Sequence, residues 1–395
     1  MTVFKLTVKL IKKKMSEKVV RQLPNIINPG KTIGIIGGDH LGRMMALAAK
    51  QMGYRVGILH PEKNCPAAQV ADWQIVATCD EQEALMDFAM KCDVVTYEFE
   101  NIDASKMEGL SKTVAVPQGG VLLAIAQDRI LEKAYLEMNK INLAPYEMIL
   151  TLEDIKIAAS SIGFPSVLKT VYDENGEKGQ RILYGEEDIL KCESFLKRGT
   201  CILEAWIPFE RELSIVISRN AAGDMSVFPT AEIVHRDNLL EEAIVPARVS
   251  KEVTQEVKRI SQTIAEGLDL VGTLGIELFL TSSGALYVSE LVSHPHGSAN
   301  YSIDACSTSQ FETHIRAICG WPLPEITLLS DAVSVTIFGE QMKSVEWQIQ
   351  LKPNWHFHYY GKNEARVSRI MGHITILTKD VDKTLENIHD TGIWI

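Results

Sequence analysis

Along the chain the spacing of apolar positions changes several times, and each change marks a different kind of element. Thr32 to Ile36 is a short apolar run closed by Gly37-Gly38, after which Leu41, Met44, Met45 and Ala48 recur at helical spacing. This predicts strand, turn and helix. The apolar runs Tyr54 to Leu59 and Asp93 to Tyr97, with a helical stretch from Glu81 to Met90 between them, continue the alternation. They predict a parallel α/β domain ending near Val116-Pro117. Asp128 to Asn139 carries Ile130, Leu131, Ala134 and Met138 on one helical face and opens a second domain. There the pattern changes to β runs, Ser166 to Lys169, Thr200 to Trp206 and Glu212 to Ser218, around a polar loop from Tyr172 to Gly179. Lys251 to Leu268 sets Val253, Val257, Ile260, Ile264 and Leu268 three or four apart, the stripe of a helix laid across a sheet. After Pro322-Leu323-Pro324, Ala332 to Phe338 and Ile374 to Leu377 predict a small C-terminal β domain.

Composition narrows the class. At 395 residues, 46% hydrophobic and 23% charged, the chain is a folded globular protein of two or three domains. A net charge of −11 argues against nucleic acid as a partner, because neutralising phosphates requires a basic surface. Seven cysteines form no C-x-x-C pair, so neither a zinc site nor a disulfide framework is expected, and a reducing cytoplasm fits. The basic stretch from Met1 to Lys14 is too broken for a signal peptide and too short to span a bilayer; no membrane partner is expected, and Met15 offers an alternative start.

Two motifs carry candidate chemistry. The turn Gly37-Gly38-Asp39-His40-Leu41-Gly42 resembles a dinucleotide fingerprint, but Asp39 stands where the middle glycine lets backbone approach a pyrophosphate, which disfavours NAD. The second motif is a hairpin, Gly275 to Leu280 and Ala285 to Val292 about Thr281-Ser282-Ser283-Gly284. A two-residue turn at Ser282-Ser283 or at Ser283-Gly284 sets Glu277 opposite Val288 or Glu290. Either register leaves both glutamates on one face, and only a one-residue slip separates them. Two carboxylates so close attract a cation, for which Mg²⁺ is suited; the plainer alternative has one of them facing solvent or an arginine.

Glu277 and Glu290 in this setting resemble the metal-binding glutamates of the ATP-grasp superfamily. The likeness runs from Thr32 to about Thr378 and is greatest to the 5-(carboxyamino)imidazole ribonucleotide synthase family. It is carried by Ile35-Ile36-Gly37-Gly38 with Leu41-Gly42-Arg43-Met44, Thr96 to Asn101, Gln127-Asp128-Arg129 with Glu132-Lys133, Val245-Pro246-Ala247-Arg248, Tyr301-Ser302 and Met371-Gly372-His373. The resemblance implies α/β and α+β architecture: a Rossmann-like pre-ATP-grasp domain at 31–118 after an N-terminal extension at 1–30, an ATP-grasp domain at 119–322 and a C-terminal β domain at 323–395. It implies ATP and Mg²⁺ as cofactors, bicarbonate and aminoimidazole ribonucleotide as substrates in purine biosynthesis, and a homodimer. It assigns Arg129 and Lys169 to ATP phosphates, with Lys178 from the loop, and Glu204 and Glu212 to the adenine and the ribose. Glu277 and Glu290 become metal ligands, with Lys169 beside them in catalysis, and Glu98, His296, Ser298, Arg366 and Arg369 become substrate contacts.

Three departures bear on the acceptor. The family's glycine-rich lid with its tyrosine-aspartate pair is here Tyr172-Asp173-Glu174-Asn175-Gly176-Glu177-Lys178-Gly179-Gln180. Its three carboxylates each oppose a nucleotide phosphate by ~1 kcal/mol. The family's substrate segment begins with an arginine, whereas this one reads His294-Pro295-His296-Gly297-Ser298-Ala299-Asn300. Ile370 replaces the lysine that follows the arginine at Arg369. A related ligase with a changed acceptor, or a nucleotide-binding paralogue without catalysis, is therefore the alternative to the carboxylating enzyme.

Overall fold

The computed structural model describes residues 26–172 and 179–394. The first domain is a parallel four-stranded sheet of β1 (Thr32–Ile36), β2 (Arg55–Leu59), β3 (Trp73–Ile75) and β4 (Val94–Tyr97) in the order β3-β2-β1-β4. The strands are short and almost wholly apolar because helices cover both faces, the requirement of a parallel sheet. Ile33, Ile35 and Ile58 are fully buried against the His40–Gln51 helix, which presents Met45, Ala46 and Ala49.

A second, antiparallel sheet of β5 (Tyr146–Ile149), β6 (Ser166–Thr170), β7 (Gln180–Leu183) and β8 (Cys201–Ala205) runs in the order β5-β8-β6-β7. The third and largest holds β9 (Phe209–Arg219), β10 (Met225–Val227), β11 (Ala231–Arg236), β12 (Leu239–Val245), β13 (Gly272–Thr281) and β14 (Leu286–Val292). It continues through β15 (Asp331–Phe338), β16 (Trp355–Tyr359) and β17 (Ile370–Thr378). Its order is β14-β13-β9-β11-β12-β15-β17-β16, with β10 beside β9. The C-terminal strands thus extend the central sheet through β12 and β15, and the helices Met342–Leu351 and Val381–His389, which the apolar pattern did not reveal, make this region α+β. The Lys251–Gly267 helix buries Val257, Ile260 and Ile264 on β9 and β13, as its stripe predicts.

In the glycine-rich turn after β1 a side chain of the protein occupies the helix N-terminus. Glu98, only 3% exposed, places its carboxylate at the N-terminus of the His40–Gln51 helix, where it accepts hydrogen bonds from the backbone N–H groups of Asp39 and Gly42. A carboxyl group of the protein therefore fills the place that a pyrophosphate takes in a dinucleotide fingerprint. A Cβ on Gly37, whose φ is +117°, would lie 2.2 Å from Glu98 Cγ. Gly37→Ala should thus lower unfolding free energy by ~1–3 kcal/mol through backbone strain and displacement of Glu98. Urea denaturation checks this, and an unchanged midpoint would contradict the close approach.

Candidate active site

Between the second and third sheets lies a cleft of about 1270 Å³, and the way the hairpin of β13 and β14 is built decides its chemistry. The connection is a three-residue loop, Ser282-Ser283-Gly284, with Gly284 at φ +81° and Thr281 hydrogen-bonded to Ala285. Neither expected two-residue turn forms. The loop sets Leu280 opposite Leu286 and Leu278 opposite Val288, and continued regularly it would pair Glu277 with Ser289 and turn Glu290 to the core face. A β-bulge between Glu277 and Leu278 absorbs one residue of β14 and restores the pairing of Glu277 with Glu290. Ser289, Glu290 and Glu277 all line the cleft.

The cations that answer this pair come from neighbouring elements. Asp128 caps the Arg129–Met138 helix, accepting from Ile130 N at 2.8 Å and Leu131 N at 3.1 Å, and also accepts from the Tyr172 hydroxyl at 2.6 Å. That cap holds Arg129 at the first helical position with its side chain in the cleft. Burial works against its charge, but Glu290, Glu132, Glu204 and Glu100 outweigh it and keep the guanidinium protonated. Lys169, on β6, donates to Glu204 Oε2 at 2.8 Å, and Lys133 Nζ stands 2.9 Å from Glu204 Oε1. Burial alone would raise the Glu204 carboxyl, yet the two lysines bring it down to about 2. Burial lowers Lys169, against the pull of Glu204.

Two histidines flank Glu277. His296 Nε2 lies 3.6 Å from Glu277 Oε1 and His235 Nε2 lies 4.0 Å from it. His235 Nδ1 shares a short hydrogen bond with Glu212. Burial disfavours its charge, but the bond to Glu212 and the field of Glu277 prevail and raise its pKa. The other imidazole is aimed by its surroundings. Ser298 Oγ bonds His296 Nδ1 at 2.8 Å and Ser214 Oγ at 2.6 Å, while Gln310 clamps the His296 backbone through its N–H at 2.8 Å and its carbonyl at 2.7 Å. Gly275 leaves room, since a Cβ there would sit 2.8 Å from His296 Cβ.

Of the residues expected from the sequence, Arg129, Lys169, Glu212, Glu277, Glu290 and His296 line the cleft. Glu204 and Ser298 stand behind it, gripping Lys169 and His296. Glu98 lies under the glycine-rich turn, away from the lining. Arg366 is exposed and paired with Glu364, Arg369 Nη1 donates to the Glu364 carbonyl at 3.1 Å, and neither lines the cleft. Lys178, with Asp173, Glu174 and Glu177, lies outside the described residues. Sequence reasoning missed His235, which shares a cleft-facing strand side with Ile233, and missed Lys362. The latter is nearly buried and holds Asp39 at 2.7 Å, tying the C-terminal region to the glycine-rich turn.

Comparison with known proteins adds the family context. Residues 30–127 match the ribonucleotide synthetase pre-ATP-grasp domain, 134–311 the ATP-grasp domain and 332–387 the phosphoribosylaminoimidazole carboxylase C-terminal domain. The chain is 42% identical to N5-carboxyaminoimidazole ribonucleotide synthase of Bacillus subtilis, over 94% of this chain and 97% of that one. The fold superimposes on the Staphylococcus aureus N5-carboxyaminoimidazole synthetase complexed with ADP with a TM-score of 0.90, at 38% identity and covering 93% and 98% of the two chains. On the Aspergillus clavatus synthase in complex with ADP and 5-aminoimidazole ribonucleotide the TM-score is 0.86, at 26% identity and 92% and 97% coverage.

The buried Glu98 carboxyl yields a prediction about pH. Burial pushes it up to about 7, against the two backbone N–H groups that favour its charge. The folded protein then holds the proton more tightly than the unfolded chain, so this contribution to stability is complete below the ordinary carboxyl range and is lost as pH rises through about 7. The stability of Glu98→Gln relative to wild type should therefore grow between pH 5 and 8, by up to ~3 kcal/mol. A difference independent of pH, in urea melts across that range, would contradict the shift.

Proposed function

The chain belongs to the N5-carboxyaminoimidazole ribonucleotide synthase family of ATP-grasp enzymes, and we propose that it uses ATP to join bicarbonate to the amine of 5-aminoimidazole ribonucleotide in purine biosynthesis. One observation carries the reading: two glutamates directly opposed on β13 and β14, facing a cleft that also presents Arg129 and Lys169. Paired carboxylate oxygens are the hard donors that Mg²⁺ prefers, so Glu277 and Glu290 suit that ion. When bound there, Mg²⁺ supplies neutralisation of the charge that builds up on ATP's phosphates.

In this proposal Arg129, Lys169 and Lys178 bind the phosphates, and Glu212, steadied by His235, accepts hydrogen bonds from the ribose hydroxyls. Glu204, expected beside the adenine, has its carboxylate committed to Lys133 and Lys169 and acts by positioning the latter. Attack of bicarbonate on the terminal phosphate gives carboxyphosphate and ADP; the ribonucleotide amine then takes the carboxyl group and releases phosphate. His296, aimed by Ser298 and close to Glu277, is placed to bind the carboxylate or to accept the amine proton. A reducing cytoplasm and a homodimer belong to the proposal; seven unpaired thiols support the first and family resemblance the second.

A related ligase with a changed acceptor is the second reading. It is favoured by His294 in the cleft where the family carries arginine, by Ile370 packed among apolar side chains, and by the pairing of Arg366 with Glu364.

ADP release from Mg-ATP tests both. Release that requires bicarbonate and 5-aminoimidazole ribonucleotide together is expected, and Glu290→Gln should reduce it at least about tenfold, a loss of ~1.4 kcal/mol or more in barrier lowering. ADP release with another amine but none with the ribonucleotide would select the changed acceptor, and no release with any amine would overturn the catalytic reading.

A further inference from the structure

Away from the cleft, three side chains suited to metal ligation meet at the C-terminal strands. β16 and β17 pair His358 directly with His373, whose rings stack with centroids 4.4 Å apart and planes within 9°. Asp304, from the short Ser302–Ala305 helix, reaches the same place: its Oδ2 is 2.8 Å from His358 Nε2 and its Oδ1 is 3.5 Å from His356 Nδ1. One ligating atom on each of Asp304, His358 and His373 lies within 4.8 Å of those on the other two, the one such grouping among the described residues.

His373 is oriented as a ligating histidine would be. It is 2% exposed, and burial keeps its imidazole neutral. The Tyr360 hydroxyl, which also accepts from Asn300 Nδ2 at 3.1 Å, holds His373 Nδ1 at 2.7 Å. Nε2 on the opposite edge of the ring is buried with no hydrogen-bond partner. A fixed Nδ1 beside a free Nε2 is the condition of a histidine ready to coordinate, because the outer partner sets the ring's orientation.

We propose that Asp304, His358 and His373 bind one divalent cation of the Zn²⁺ type, with His356 available as a fourth ligand. Two imidazoles and one carboxylate favour Zn²⁺ and its neighbours in the first transition row over Mg²⁺, which prefers oxygen donors. Coordination would exchange the Asp304–His358 hydrogen bond for two bonds to the metal and turn the His358 ring out of its stack on His373, which Tyr360 holds. Asp304 lies on the same stretch of chain as His296 and Ser298, so the ion would fasten the segment that feeds the cleft to the C-terminal strands. The site is separate from the acidic pair at Glu277 and Glu290, and its role is to hold structure.

Full-length protein carrying Glu277→Gln and Glu290→Gln, stripped with chelator, removes competition from the cleft. Titration with Zn²⁺ by calorimetry and with Co²⁺ by visible absorption should give one equivalent per chain at micromolar affinity or tighter, with the intense bands of a nitrogen-ligated Co²⁺ ion. Zn²⁺ should also raise the melting temperature. Asp304→Asn and His373→Ala should each weaken binding more than about tenfold and remove the thermal shift. If either fails to fold by circular dichroism, His358→Gln, at a partly exposed strand position, serves in its place. No Zn²⁺ binding up to 100 micromolar, or binding undiminished by these substitutions, would overturn the proposal and leave the cluster as an ion pair with a ring stack.

Discussion

Two acidic side chains held face to face by the backbone are the constraint around which the cleft is built. Directly opposed residues in an antiparallel pair have Cβ atoms ~4.5–5.5 Å apart. At such a separation two carboxylates repel by ~3–4 kcal/mol in a medium of effective dielectric constant ~20. The pairing of Glu277 with Glu290 is therefore not a state that an apolar hairpin would adopt for its own stability. It persists because β13 is locked between β9 and β14 and because Arg129, held by a helix cap, faces Glu290 while His235 and His296 flank Glu277. Glu204 stands behind the cleft, where it holds the ammonium groups of Lys133 and Lys169 in place.

The sequence revealed most where one period ran unbroken. The Lys251–Gly267 helix and the first strands emerge at or within a residue or two of their expected ends because each buries one continuous apolar face. The hairpin shows the opposite case. Its loop is one residue longer than expected, which alone would have separated the glutamates, and a bulge at Ser289 cancels the slip. A bulge leaves no signature in composition, so the two errors were invisible individually although the face shared by Glu277 and Glu290 was legible. The joining of the C-terminal strands to the central sheet depends on a pairing of β12 with β15 across some ninety residues of chain, beyond the reach of local pattern.

Site residues divide along similar lines. Charged residues on strands and helix starts, Arg129, Lys169, Glu212 and Glu277, are named from the sequence by type and motif, and the fold sets all four in the lining of one cleft. His235 could not, since a single histidine on a strand reads as a half-exposed polar position until Glu212 and Glu277 are known to flank it. Arg366, named by resemblance as a substrate contact, is exposed and pairs in the fold with Glu364 two residues away, a contact that no sequence pattern indicated. The contacts by which Glu204, Ser298 and Gln310 hold Lys169 and His296 emerge only in three dimensions, although the first two are named from the sequence for other roles.

The central claim is that the opposed glutamates exist to hold a metal ion against ATP. The affinity of the protein for ATP, measured by calorimetry with and without Mg²⁺, tests it directly when wild type is compared with a variant carrying both Glu277→Gln and Glu290→Gln. In wild type Mg²⁺ should tighten ATP binding by more than about tenfold, or ~1.4 kcal/mol, and in the variant that gain should disappear while folding is retained. An equal gain from Mg²⁺ in both proteins would contradict the account.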